Sequence, residues 1–150
     1  MADYGGRVLI EAPKNAWGIQ TFTIKGADIY PGIPVTQTGE TGSEIVSCAT
    51  ANDVFCGVVL CNPDHDPDTA YTAGDRVEVA LNGSGAVVWT FVKAAVAALV
   101  VGHILHADAA TPTVYCIIGE GGLFETVGRV IEASPTDGAN DRPVKVVLCG

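Results

Sequence analysis

The amino-acid sequence predicts an all-β fold, a small barrel or two-layer β core, and three observations carry that expectation. Eighteen glycines and eight prolines are spread between short apolar runs, which suits many strands joined by tight turns better than long helices. The segment Arg76-Val77-Glu78-Val79-Ala80-Leu81 puts Val77, Val79 and Leu81 on one face, as a half-buried strand does. Two motifs also recur. Phe55-Cys56-Gly57-Val58-Val59 returns as Thr126-Val127-Gly128-Arg129-Val130, and Val77-Glu78-Val79-Ala80-Leu81-Asn82-Gly83 returns as Val144-Lys145-Val146-Val147-Leu148-Cys149-Gly150. Each half thus carries a glycine-centred strand, a loop and an alternating strand ending in glycine, so a pseudo-duplicated barrel is expected. With 150 residues, 48% of them apolar and 17% charged, the chain has the size and composition of one folded domain.

Taken in order, residues 1–25 alternate poorly and contain Gly5, Gly6, Pro13 and Gly18. They read as an irregular N-terminal arm with one short strand near residues 7–10, preceding a β-rich domain of residues 26–150. Trp17, Ile19, Phe22 and Ile24 interrupt the polarity of the arm, and apolar groups there need a surface to pack on. Tyr30-Pro31-Gly32-Ile33-Pro34 reads as a turn, with Pro34 confining the next extended segment to an edge or a strand start. Strands are expected at residues 35–38, 44–49, 54–60 and 76–81, with loops between them and the longest at residues 62–69. Asn82-Gly83-Ser84-Gly85 is a hairpin-grade turn that would return residues 86–92 beside the strand at 76–81. The alanine-rich residues 93–101 predict a short helix stopped by Gly102. Strands at 114–118, 124–132 and 144–148 complete the chain.

Eight Lys and Arg against 17 Asp and Glu give a formal charge of −9, a potential that repels phosphate and argues against nucleic acid as a partner. Residues 86–105 carry only Lys93 and His103 as ionisable groups. Lys93 near the centre and the many small residues speak against a membrane span. The five cysteines, Cys48, Cys56, Cys61, Cys116 and Cys149, are odd in number and contain no C-x-x-C pair. Free, mostly buried thiols and synthesis in a reducing cytoplasm are therefore expected.

Chemistry finds few footholds. Asp64, His65, Asp66 and Asp68 concentrate oxygen and imidazole ligands in one loop. They are the candidates for a ligand- or metal-binding β-barrel module. The loop lacks the glycine and the distal Glu of a calcium-binding EF-hand, and Pro63 and Pro67 restrict how its ligands could converge, so a solvated turn is the plainer expectation. His103 and His106 would share a helix face, but Gly102 argues against helix there. No nucleophile motif, Walker loop or dinucleotide fingerprint is present. The expectation is a protein that is not an enzyme and needs no cofactor.

The ordered series Pro31-Gly32-Ile33-Pro34-Val35, Phe55-Cys56-Gly57-Val58-Val59, Tyr71-Thr72-Ala73-Gly74-Asp75-Arg76-Val77-Glu78-Val79, Val101-Gly102-His103-Ile104-Leu105-His106-Ala107-Asp108 and Thr126-Val127-Gly128-Arg129-Val130-Ile131-Glu132 resembles the capsid decoration, or cement, proteins of tailed viruses. The match runs over residues 29–150. It implies a barrel of the β-tulip type on the exterior of an icosahedral virion. There the domain would bind the major capsid protein as a homotrimer and stabilise capsomer contacts, without catalytic residues or cofactor. By position, residues 1–25 would be the capsid-binding arm, with Trp17, Ile19, Phe22 and Ile24 as its contact residues.

Overall fold

A computed structural model of the chain describes residues 8–14, 17–25, 29–48, 54–66, 68–92, 100–111, 114–118, 126–132 and 142–148. The described residues form eleven strands and no helix: β1 (Leu9–Glu11), β2 (Ile19–Ile24), β3 (Pro34–Thr38), β4 (Glu44–Ser47), β5 (Gly57–Val59), β6 (Arg76–Leu81), β7 (Val87–Val92), β8 (Ile104–Thr111), β9 (Val114–Ile118), β10 (Thr126–Glu132) and β11 (Arg142–Val147). The protein is all-β, as its glycine-punctuated apolar runs predict. Of the helix expected at residues 93–101, residues 93–99 lie outside the described residues, and Val101 and Gly102 form a turn.

Strands β2-β4-β3-β5-β6 close into a barrel. Alternation along each strand sends one set of side chains inward. Phe22, Ile24, Ile29, Ile33, Val35, Ile45, Val59, Tyr71, Val77 and Val79 form one buried cluster. The seam is β2, antiparallel to β6 from Ile19↔Ala80 to Thr23↔Arg76 and parallel to β4 at Thr23↔Glu44 and Ile24↔Ile45. Residue 25 is therefore no boundary. Residues 19–24, expected in an irregular arm, are a wall of the barrel, because Phe22 and Ile24 have an apolar interior to enter.

The second sheet repeats the first strand for strand. In the first barrel β2 pairs with β4 in parallel and with β6 antiparallel, while β3 pairs with β4 and β5, and β5 with β6. In the second, β7 pairs with β9 in parallel and with β11 antiparallel, while β8 pairs with β9 and β10, and β10 with β11. The β7–β9 bridge, Val92↔Cys116, makes the circuit β7-β9-β8-β10-β11, with β1 added outside on β7. The registers also coincide. Val58↔Ala80 and Val59↔Val79 in the first barrel correspond to Arg129↔Val147 and Val130↔Val146 in the second. Val35↔Gly57 likewise corresponds to Leu105↔Gly128.

The two glycines of the repeated motif do the same work. A Cβ on Gly57 would lie 2.2 Å from the Ala80 carbonyl oxygen, and one on Gly128 would lie 2.1 Å from that of Val147. Only glycine lets the partner strand approach so closely. The repeat visible in the letters is thus a repeat of packing.

The turn at residues 82–85 hands the chain from one barrel to the other. Residues 86–92 do not return beside β6 as a hairpin; β7 pairs instead with β1 and β11. The second hydrophobic cluster spans the junction, joining Phe55, Val58, Leu60 and Ala80 of the first unit to Val88, Phe91, Leu105, Val127, Val130, Val144 and Val146 of the second. Thr90 Oγ1 also donates to the Gly32 carbonyl at 2.8 Å, so the junction is fixed by a hydrogen bond as well as by burial. No described helix is long and apolar enough to cross a membrane.

Candidate functional site

The four residues expected to contact a capsid separate by burial. Phe22 and Ile24 are 7% and 1% exposed inside the first barrel, and Ile19 packs against the junction cluster. None of these three is an arm residue free to dock elsewhere. Trp17 is different, at 53% exposed, with its carbonyl held by Gln20 Nε2 at 3.0 Å.

The acidic loop is committed to its own structure. The His65 ring stacks on Tyr71 with centroids 3.9 Å apart, and its Nε2 lies 2.6 Å from the Thr69 carbonyl oxygen. Asp66 Oδ1 accepts from the Asp68 amide at 2.9 Å. Among the described residues no three His, Cys, Asp or Glu side chains come together as metal ligands, so Asp64, His65, Asp66 and Asp68 are not assembled into a site there. His103 Nδ1 accepts from the Val100 amide at 3.2 Å, and the side chain of His106 lies outside the described ones.

Tyr71 anchors this loop to the barrel. Its hydroxyl accepts from the Asn62 amide at 2.8 Å and donates to the Leu60 carbonyl at 3.2 Å. Tyr71→Phe leaves both backbone groups without that partner and is expected to cost about 1–3 kcal/mol, read by urea denaturation. Burial raises the Tyr71 pKa above its ordinary value. The native state therefore holds this proton more tightly than the unfolded chain. The associated stability is complete below about pH 10 and falls as pH rises beyond it. Tyr71→Phe should flatten that alkaline loss.

A groove of about 560 Å³ lies on the outside of the first barrel, where Trp17, Val46, Val54, Leu81 and Asn82 meet Thr36 and Thr38. Val35 and Ile45 point inward, so their neighbours Thr36 and Val46, paired across β3 and β4, line the outer face. Val54 is 56% exposed, which gives the groove two exposed apolar groups. Asn82 Oδ1 is buried without a hydrogen-bond partner among the described residues, leaving an acceptor for an incoming donor.

Cys56 also lines the groove, and burial pushes its thiol up to about 11. At neutral pH almost none of it is the reactive thiolate. Iodoacetamide at pH 8 should therefore label Cys56 at least ~10-fold more slowly in the native protein than in urea, scored by peptide mass spectrometry. Cys56 is a free thiol. The groove offers contact area and a hydrogen-bond acceptor.

No family profile matches the chain, and neither does any curated protein sequence. A solved structure does. The crystal structure of the N base of head fiber gp8.5 in bacteriophage phi29 aligns with a TM-score of 0.52 and 15% sequence identity, over 87% of this chain and 92% of that one. The two chains share a fold. An 87% share, wherever its bounds fall, includes residues of both five-strand units, since β2 to β6 ends at Leu81 and β7 to β11 begins at Val87.

Sequence reasoning singled out Trp17 but missed Val46, Val54 and Asn82 as its neighbours. Each sits at a strand end or turn whose partner is distant in the chain. An apolar Val54 directly after the turn-forming Asn52 and Asp53 is the local signal that was present.

Proposed function

We propose that this chain is a structural virion protein of a tailed virus, carried on the outside of the head, where it binds the major capsid protein and cements neighbouring capsomers. The observation that supports this reading is the shared fold with a head fiber base, which extends over nearly the whole of both chains. The chemistry of the molecule agrees with such a role. Its −9 charge favours solubility of free copies, and Trp17, Val54, Val100, Val101, Ile104 and Ile131 give it exposed apolar groups for contact with a neighbour.

Homotrimeric binding on the shell belongs to this proposal. It would multiply the affinity of each contact, because linked sites bind at high effective concentration. Purified protein mixed with undecorated heads should pellet with them and saturate at a fixed ratio to the shell protein. A chain that stays in the supernatant at every ratio overturns the proposal.

A further inference from the structure

The internal repeat identifies a surface that is buried in one barrel and open in the other. Pro31-Gly32-Ile33-Pro34 corresponds position by position to Val101-Gly102-His103-Ile104. Gly32 and Gly102 have φ of +92° and +98°, and their amides donate to the equivalent carbonyls of Val59 and Val130 at 2.8 Å in both cases. The Val59 and Val130 amides donate back to Ile33 and His103. In the first barrel this turn is covered by the second. A Cβ on Gly32 would lie 3.2 Å from Phe91 Cε2 and 3.3 Å from the Trp89 carbonyl oxygen. Val58 and Leu60 beside it are 0% and 4% exposed.

In the second barrel the same face is open. Among the described residues nothing lies within 4 Å of a Cβ on Gly102. Val101, Ile104 and Ile131 are 62%, 37% and 39% exposed, although their counterparts Pro31, Pro34 and Leu60 are buried, and Val100, opposite the half-buried Tyr30, is 55% exposed beside them. An apolar face that one barrel covers and the other leaves open calls for an occupant of the same kind.

We infer that this face receives a second copy of this chain, whose Trp17 edge seats over Gly102 as Phe91 seats over Gly32. Three features favour that occupant. The face is built to accept an aromatic carried by this fold, as the junction between the barrels demonstrates. Trp17 is the only aromatic among the exposed large hydrophobics of the described residues, and Val54 beside it adds to the edge. Arg129, exposed opposite Ile104 on the open face, presents a cation to a chain of net charge −9. The donor edge and the acceptor face are different surfaces, so the contact is heterologous and joins copies head to tail. The inference rests on the internal repeat and holds whether or not the chain binds a shell.

Val101→Glu destroys the acceptor face and Trp17→Ser the donor edge. Both positions are exposed, and near-ultraviolet circular dichroism and thermal unfolding check that each variant folds. Sedimentation velocity should show the wild-type chain self-associating at high concentration, with each variant alone monomeric. Mixed in equal amounts, the variants should form a species with the mass of two chains, because the intact edge of Val101→Glu meets the intact face of Trp17→Ser. A wild-type chain that stays monomeric overturns the inference. So does a folded variant that associates like the wild type, or a mixture that forms no dimer.

Discussion

A chain lacking residues 1–25 will not fold, and its far-ultraviolet spectrum and urea titration will show no cooperative transition. The deletion takes away β2, which holds five paired positions on β6 and the parallel register with β4. Without it the first barrel cannot close, and Phe22 and Ile24 leave a core in which Ile45, Val77 and Val79 would face water. Burial of one large apolar side chain is worth about 1.5–3 kcal/mol. Loss of two such groups together with a seam of backbone hydrogen bonds rivals the entire stability of a domain, about 5–15 kcal/mol. Removing residues 1–7 alone leaves both β1 and β2 whole, and that shorter chain should unfold cooperatively. A cooperative transition in the 1–25 deletion would mean that β2 is dispensable.

Gly57→Val and Gly128→Val should be equally severe, although the residues lie 71 positions apart (128 − 57). In each case the new Cβ meets a carbonyl oxygen of the partner strand at little over 2 Å, and backbone cannot rotate away as a side chain can. Such overpacking costs about 3 kcal/mol or more at each site. Gly74→Ala provides the contrast. Its φ is +93° but nothing among the described residues lies within 4 Å, so it carries only backbone strain of about 1 kcal/mol. Urea midpoints of the three variants measure this order. A Gly128→Val protein as stable as wild type would break the equivalence of the two barrels.

The strands most easily read from the sequence are those whose signal is local. Arg76–Leu81 shows its face by alternation, and Pro34–Thr38 its start by a proline whose missing amide suits a first strand residue. Ile19–Ile24 was not legible in this way. Its partners, β6 and β4, lie far along the chain, and Gly18 and Gln20 blur its alternation, so two core residues passed for docking residues. The strand Ile104–Thr111 is similarly masked by three alanines.

Both were recoverable from the repeat. Extending the correspondence of Gly57 with Gly128 through the whole topology pairs β2 with β7 and β3 with β8. The acidic loop, whose plainer expectation is a solvated turn, shows another limit of the letters. Composition records which ligands are near in sequence, whereas His65 is spent on Tyr71 and on the Thr69 carbonyl. The exposed face around Gly102 becomes visible only when the two barrels are compared position by position.

The proposal that this chain is a structural component of a virion is tested most directly by quantitative peptide mass spectrometry of gradient-purified particles of the virus that encodes it. The account predicts peptides of this chain in a fixed ratio to the major capsid protein across the particle peak, and their loss when intact particles are treated with protease. A chain abundant in the infected cell but absent from purified particles would contradict it.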